Sequence, residues 1–278
     1  MVTPVLYEHR YYSRNDLFNL GALSDFHLGA KASDKRRIDK NVEWIDQWCH
    51  KAVFNGDAAD AINFKDKRFD IKSVDRELLT PREQYKAVYT ALEPIAEKLL
   101  VVAGGNHDGA IAKMESNDYL EDVADDLGVP YAERSAYIRL HFKRYSQDGD
   151  NYSGHQSSFN IYMHHGSGGA RTKGGKLNKV KKMDEIFEAD CYLMGHVHDM
   201  ETIRVPLLDF DDRMNLIQLK KYYALTGGFL KGYEVDNCNY VEQGMYAPTS
   251  LGGIFLSINC EMNMSTNCRI SDIPVEIS

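Results

Sequence analysis

Several short apolar runs in this chain end abruptly in glycine and then in polar side chains that can bind metal ions. The run Leu99–Ala103 stops at two glycines, and Asn106, His107 and Asp108 follow in what we expect to be a turn closed by Gly109. A continuous apolar run of this length bounded by glycine predicts a buried strand. A bare turn does not need three polar side chains, so we searched the chain for partners to them.

The rest of the hydrophobic pattern predicts helices and strands in alternation. Apolar residues at helical spacing predict a helix over 36–51. Thr80, Pro81 and Glu83 are typical of a capping box that opens a second helix through Leu99, with a kink at Pro94. Further helices are predicted over 116–127 and 183–188. Strands are predicted over 17–24, 52–54, 137–142, 159–163, 191–194 and 251–262, and a β-hairpin over 201–225.

This alternation favours a single α/β domain. No internal repeat, low-complexity tract or linker divides the sequence. We therefore expect one domain over 1–278, with the motif-bearing core at 17–200 and a β-rich C-terminal part at 201–278.

Composition restricts the class of protein. A hydrophobic content of 43% and a charged content of 27% are ordinary for a soluble globular chain. The net charge of −8 argues against general electrostatic binding of nucleic acid, although it allows a local basic patch. The five scattered cysteines are typical of reduced thiols. The N-terminus has no signal-peptide pattern and no run is long enough to span a membrane, so the predicted location is cytoplasmic, with no membrane partner.

Five predicted strand ends carry metal-type ligands, and six of the ten histidines lie there. In α/β folds ligands bind outside the carboxyl ends of strands, so these side chains can converge on one edge. A set of imidazoles, carboxylates and an amide without cysteine suits Mn, Fe, Zn or Ni in a hydrolytic centre. The set is too large for one ion and fits two ions about 3.5–4 Å apart. The ligand candidates are Asp25, His27, Asp57, Asn106, His164, His165, His196 and His198.

Taken in order, these motifs resemble those of the calcineurin-like metallophosphoesterases. The matching stretches span residues 25 to 198, and the last 80 residues carry no motif that we can assign. They are Asp25-Phe26-His27, Gly56-Asp57, Gly105-Asn106-His107-Asp108, His164 or His165, and Gly195-His196-Val197-His198.

The resemblance implies a fold and a mechanism. The fold would be an α/β sandwich of two mixed sheets flanked by helices, with a dinuclear metal site at the carboxyl edge of the strands. One ion would be held by Asp25, His27 and His198, the other by Asn106, His196 and one of the pair His164/His165, with Asp57 bridging both. A hydroxide between two divalent ions, Mn²⁺ in first place, would attack phosphorus in line. His107 would protonate the leaving oxygen, and Asp108 would orient its ring.

The choice between His164 and His165 stays open at this point. Neighbouring residues of a strand face opposite sides, so only one of the two should point at a metal. The position before Gly166 favours His165, while the commoner spacing in the family favours His164, which we prefer.

The segment 166–182 is rich in glycine and basic residues. It predicts either a flexible solvated loop or a mobile phosphate clamp, with Arg171 and Lys173 as substrate-binding residues. The expected function is therefore a phosphodiesterase acting on nucleotide or nucleic-acid phosphodiesters. The alternatives are a phosphomonoesterase and an inactive family member that serves as a binding scaffold. The sequence does not predict the oligomeric state.

Overall fold

The computed structural model describes residues 2–62, 69–149, 151–233, 242, 244–245, 247–261 and 268–274. They form one α/β domain with two six-stranded sheets. The strands are β1 (Val2–Tyr11), β2 (Leu17–Leu23), β3 (Lys51–Asn55), β4 (Leu99–Ala103), β5 (Tyr131–Ala132), β6 (Ser135–Tyr145), β7 (Tyr152–His164), β8 (Cys191–Met194), β9 (Thr202–Phe210), β10 (Leu216–Leu225), β11 (Ile254–Asn259) and β12 (Cys268–Asp272). The α-helices are α1 (Lys35–Trp48), α2 (Pro81–Leu92), α3 (Asn106–Glu115), α4 (Tyr119–Leu127) and α5 (Lys173–Lys181).

Both sheets are mixed, as predicted. The first has the order β1-β6-β7-β8-β10-β9, and the second has the order β12-β11-β2-β3-β4-β5. Strands β2, β3, β4 and β5 are parallel neighbours, and so are β7, β8 and β10. The predicted hairpin is confirmed, with β9 and β10 antiparallel.

The two sheets pack face to face around a shared apolar core. Every second residue of β6 is buried, from Ala136 through Ile138 and Leu140 to Phe142, and these side chains pack with those of Phe18 and other residues of the second sheet. Helices α1, α2 and α4 cover the outer face of the second sheet, while α5 covers part of the outer face of the first. This layered arrangement fixes the strand ends on which the candidate ligands lie.

The first two helices agree with the sequence prediction except at their ends. Helix α1 ends at Trp48, because Cys49 has an extended backbone and β3 begins at Lys51. The capping box of α2 is confirmed, since Thr80 and Glu83 each accept a hydrogen bond from the other's backbone N–H. Residues Glu93–Lys98 form a 3₁₀ helix instead of continuing α2, as a proline near its start favours.

Four predictions for the helical segments differ from the structure, although the helix predicted over 116–127 is present. The expected turn at Asn106 is the first turn of α3. The helix predicted over 116–127 begins only at Tyr119, because Ser116 has a left-handed backbone that ends α3. The segment expected to be a loop contains α5, and the helix predicted over 183–188 is a 3₁₀ turn at Lys182–Glu185.

Two further features complete the fold. Four cysteines, at positions 49, 191, 260 and 268, are buried free thiols, and Cys238 lies outside the described residues. None of the described helices is long and apolar enough to cross a membrane.

Candidate metal centre

The candidate ligands follow the carboxyl ends of five strands. Three of these strands, β2, β3 and β4, are parallel neighbours in the second sheet, and β7 and β8 are parallel neighbours in the first. The loops that leave them meet at one edge of the sandwich, where three groups of three side chains have ligand atoms within 4.8 Å of one another. Two of these groups consist only of predicted ligands, and the third combines His27 with Asp60 and His107. The convergence expected from the order of the motifs is therefore present in the fold.

The first group consists of Asp25, His27 and His198. The Nε2 atoms of the two histidines lie 3.0 Å apart, and Nε2 of His198 lies 3.2 Å from Oδ1 of Asp25. Asp25 also accepts hydrogen bonds from the backbone N–H of His196. Three ligand atoms thus point at a common space, and two of them are fully or almost fully buried.

The second group consists of Asp57, His165 and His196, together with Asn106. Nε2 of His165 lies 3.1 Å from Oδ2 of Asp57 and 3.3 Å from Oδ1 of Asn106. The same amide atom lies 2.6 Å from Nδ1 of His196 and 3.3 Å from Oδ2 of Asp57. In this orientation, Oδ1 of Asn106 faces acceptor atoms of Asp57, His165 and His196. If the amide were reversed, its NH₂ group would donate to the same atoms.

Asp57 lies between the two groups. Its Oδ2 atom is 3.1 Å from Nε2 of His165 in the second group and 3.8 Å from Nε2 of His27 in the first. One carboxylate oxygen therefore faces both groups, which is the position that a bridging ligand needs.

The spacing of these atoms fits metal ions. Ligands about 2.1 Å from one ion lie roughly 3.0–3.4 Å apart at octahedral or tetrahedral angles. The separations of 3.0, 3.1 and 3.2 Å within the two groups agree with this range. Carboxylate, imidazole and amide atoms whose lone pairs converge form a donor set that can hold divalent cations.

Backbone strain is concentrated at the same loops. Nine non-glycine residues in the described part of the chain have positive φ, and five of them are candidate ligands. Such conformations are unfavourable by about 1–3 kcal/mol each and persist where the surroundings hold them. The five are Asp25, His27, Asp57, His196 and His198.

Two glycines allow the close approach of these loops. A Cβ atom on Gly105 would lie 2.0 Å from Oδ1 of Asp57, and one on Gly56, where φ is +86°, would lie 2.5 Å from Nδ1 of His165. The ends of β3, β4 and β7 can meet only because both positions lack a side chain.

Charge pairing sets the protonation states of the second group. Burial raises the pKa of Asp57, but His165 and the other histidines outweigh it and hold that pKa well below its usual range. Burial lowers the pKa of His165, but the Asp57 carboxylate outweighs it and raises the value to about 9. Without an ion, His165 is therefore protonated at neutral pH and forms a buried ion pair with Asp57.

This raised pKa predicts that metal binding depends on pH. Nδ1 of His165 lies 2.7 Å from the carbonyl oxygen of Asn55 and keeps its proton there, so an ion must displace the proton on Nε2. We expect the affinity for Mn²⁺ to rise from about pH 7 to about pH 9 and then to level off. The ion-free fold should lose the contribution of this pair as the pH rises through about 9, because the folded-state pKa lies above the ordinary value of about 6.5. Calorimetric titration across this range checks the first statement, and an affinity independent of pH would contradict it.

The geometry favours His165 over His164 as the ligand. His165 is fully buried and belongs to the second group. His164 is the last residue of β7, and its Nδ1 accepts a hydrogen bond from the backbone N–H of Gly166, away from both groups. The preference for His164 that the family spacing suggested is therefore not supported.

A pair of matched substitutions distinguishes these neighbours. We expect His165→Ala to remove the second ion and leave about one per chain, because it deletes one of the few ligands of that ion. His164→Ala should keep both ions. Metal content of each variant after reconstitution with Mn²⁺ measures this, and the reverse pattern would restore His164 as the ligand.

His107 is oriented by a residue other than the one predicted. Its Nδ1 atom lies 2.6 Å from the carbonyl oxygen of Asp60, which can only accept, so Nδ1 carries the proton. Its backbone N–H donates to Oδ1 of Asp57 at 2.8 Å. The ring of His107 is thus bonded to the loop after β3. Its main chain is bonded to the carboxylate of Asp57, the candidate bridging ligand.

Asp108 does not have the expected contact with His107. It is buried in the first turn of α3, where it accepts hydrogen bonds from the hydroxyl of Tyr85 at 2.7 Å and from the N–H of Gly105 at 2.8 Å. Burial, followed by the charge of Asp57, raises its pKa. Its role is to hold the start of α3 and the glycine turn that approaches Asp57.

Asp60, which was not among the predicted site residues, contacts both His107 and a candidate ligand. Besides holding His107, its Oδ1 lies 3.4 Å from Nδ1 of His27. The available signal was its position three residues after Asp57, within the same loop. Nδ1 of His27 has no hydrogen-bond partner in the described part of the chain, so the Asp60 carboxylate neighbours this ring without a hydrogen bond to it.

The basic segment is ordered in a way that differs from the predicted clamp. Arg171 is exposed. Lys173, at the start of α5, forms an ion pair with Glu201 and its side chain is 73% exposed. Lys176 was not predicted as a site residue, yet it lines a cleft together with His196 and His198.

Comparisons with known proteins address the fold. No family model and no curated protein sequence matches the chain. Among solved structures, Vps29 of Entamoeba histolytica complexed with Zn²⁺ is 11% identical with a TM-score of 0.37. The match covers 92% of this chain and 100% of the Vps29 chain. Vps29 of Chaetomium thermophilum is 12% identical with a TM-score of 0.37, covering 93% and 98%. A predicted phosphoesterase of Streptococcus pneumoniae is 11% identical with a TM-score of 0.31, covering 92% and 98%.

Likeness at this level concerns the fold alone, and no function is inferred from it. The resemblance to calcineurin-like metallophosphoesterases rests on two observations in this chain. Two mixed sheets pack face to face, and the ordered motifs converge at one edge of them.

Proposed function

We propose that this protein is a dinuclear metal-dependent phosphoesterase. The observation that carries the proposal is the position of Asp57, whose Oδ2 atom faces a ligand histidine of each group. A carboxylate shared between two sets of nitrogen and oxygen ligands is the arrangement used for displacement at phosphorus.

The ligands divide between two ions. One ion would be held by Asp25, His27 and His198. The other would be held by Asn106, His165 and His196, and Asp57 would bind both. Two divalent ions bound there stabilise negative charge on phosphoryl oxygens and make a water molecule more acidic. Mn²⁺ suits this donor set best, with Fe, Zn or Ni as alternatives.

His107 supplies the proton for the leaving group. Because Nδ1 donates to the carbonyl of Asp60, Nε2 is the nitrogen that can carry and release a second proton. Water attacks phosphorus and releases a proton to solvent, the bond from phosphorus to the ester oxygen breaks, and His107 gives that oxygen its proton and is then reprotonated from solvent. General acid catalysis of this kind contributes about 10²–10⁴-fold.

The basic segment gives little support for a nucleic-acid substrate. Lys173 is paired with Glu201 and Lys176 with Asp199 at 3.0 Å, so each already has a carboxylate partner, which weakens the case for an extended contact with a nucleic-acid backbone. We therefore leave phosphodiesters and phosphomonoesters as the two substrate classes, to be decided by assay.

The direct test is hydrolysis by protein loaded with Mn²⁺. Bis-p-nitrophenyl phosphate and p-nitrophenyl phosphate report on diesters and monoesters, and chelator-treated protein is the control. Turnover of at least one ester that disappears with the chelator and returns with Mn²⁺ supports the proposal. Turnover that survives metal removal would contradict it.

A further inference from the structure

A cleft opens directly beside the candidate metal centre. It has a volume of about 170 Å³, and His196 and His198 form part of its wall. Apart from Lys176, the other described residues of the wall are small or apolar, among them Gly169, Ala170, Val197, Leu230, Ala247 and Thr249.

Among the described residues that line this cleft, Lys176 is the only Lys, Arg, Asp or Glu. Its ammonium group lies 3.0 Å from Oδ2 of Asp199, and the two side chains are only 13% and 7% exposed. Asp199 is in turn tied to the main chain, since its backbone carbonyl accepts from Gly227. One N–H of Lys176 is used by Asp199, and an ammonium group has three. The residue is thus a fixed cation with donors left for an anionic ligand.

The size of the cleft limits the ligand. A cavity of about 150 Å³ is enough to bind benzene, whereas sites for drug-sized ligands occupy about 300–1,000 Å³. A cleft of about 170 Å³ therefore accommodates a group of the size of one six-membered ring. A nucleoside, with both a base and a ribose, would extend beyond it.

We propose that this cleft is the subsite for the organic group of a small phosphate ester, and that Lys176 contacts a phosphoryl oxygen of that ester. The inference rests on the proposed function, because it places the phosphorus atom at the metal centre. It names the substrate class as phosphate esters with one compact, uncharged and largely apolar substituent. Lys176 is then a specificity-determining residue, and Arg171 and Lys173 are not.

Lys176→Met and Lys173→Met form a matched pair of tests on one helix. For phenyl phosphate, we expect Lys176→Met to raise KM at least about tenfold, because it removes one charge-assisted contact with the phosphate. Lys173→Met should leave KM unchanged, and both variants should keep the metal content of the unmodified protein. Lys176→Arg, which keeps the charge, should retain most of the affinity.

A second substitution tests the cleft itself. Ala247→Trp narrows it without touching a candidate ligand. We expect this change to raise KM for phenyl phosphate and to leave KM for methyl phosphate unchanged. Equal effects on the two esters would overturn the assignment of the cleft to the organic group.

Binding of inorganic phosphate separates this inference from the proposed function. Calorimetric titration of the Mn²⁺-loaded protein with phosphate needs no turnover. If the protein binds Mn²⁺ but hydrolyses no ester, the proposed function fails, while weaker phosphate binding by Lys176→Met alone still supports its role as the phosphate-binding cation. The inference would be overturned if Lys176→Met left both the phosphate affinity and KM unchanged, or if Lys173→Met weakened phosphate binding and raised KM to the same extent.

Discussion

Replacing Asp57 by asparagine should abolish both metal binding and hydrolysis. The substitution keeps the shape of the side chain but removes the negative charge whose Oδ2 faces His165 at 3.1 Å and His27 at 3.8 Å. Loss of a residue that merely supports a metal ligand already reduces affinity or activity by about 10–100-fold. For a residue shared by two ions we expect kcat/KM to fall by more than about 100-fold, with less than one ion bound per chain.

Metal-dependent thermal stability provides an independent measurement of the same change. An ion that binds only the folded state raises the free energy of unfolding by RT ln(1 + [L]/Kd). The unmodified protein should therefore show a higher Tm in Mn²⁺, whereas the Tm of Asp57→Asn should not change. Asp190→Asn is a suitable control, because Asp190 is a largely buried carboxylate that accepts hydrogen bonds from Asn160, outside both ligand groups. Retention of two ions by Asp57→Asn would refute the bridging role.

Replacing His107 by alanine should remove activity but not metal. The side chain belongs to the third group, with His27 and Asp60, and to neither of the two groups next to Asp57. Its backbone N–H, which donates to Oδ1 of Asp57, remains in the variant. We expect kcat to fall by about 10²–10⁴-fold, the usual contribution of a general acid, with two ions still bound.

The identity of the leaving group sharpens this prediction. A p-nitrophenolate ion leaves readily without a proton, whereas an alkoxide does not, so the loss should be larger for an alkyl phosphate than for p-nitrophenyl phosphate. His141→Ala is a control, because His141 contacts Ser158 on a different part of the fold. A loss of metal together with activity would show that His107 is a ligand and not an acid.

The convergence of the ligands could be predicted from the sequence, because carboxyl ends of parallel strands meet at one edge. The residues that orient His107 could not be predicted from the sequence. Asp108 follows it directly, but the first turn of α3 directs that carboxylate to Tyr85 and Gly105. Asp60, which is distant in sequence, reaches His107 only through the loop after β3.

Non-local pairing explains the missed elements. The strand β1 is stabilised by β6, with Val2 opposite Ser135, so its alternation alone gave too weak a signal. Helix α5 contains Gly174 and Gly175, which favour a loop by propensity. It is held instead by the cap of Thr172, by buried Val180 and by the pair Lys176–Asp199. Tertiary contacts therefore convert the predicted mobile clamp into one wall of the cleft.

The most direct test of the central claim is the number of metal ions bound per chain. The protein should be purified without chelator, reconstituted with Mn²⁺, freed of loosely bound ions and analysed for metal alongside protein concentration. The account predicts two ions per chain, lost together with hydrolysis after chelation. A folded protein that retains no more than trace metal under these conditions would contradict it and would favour a binding scaffold instead.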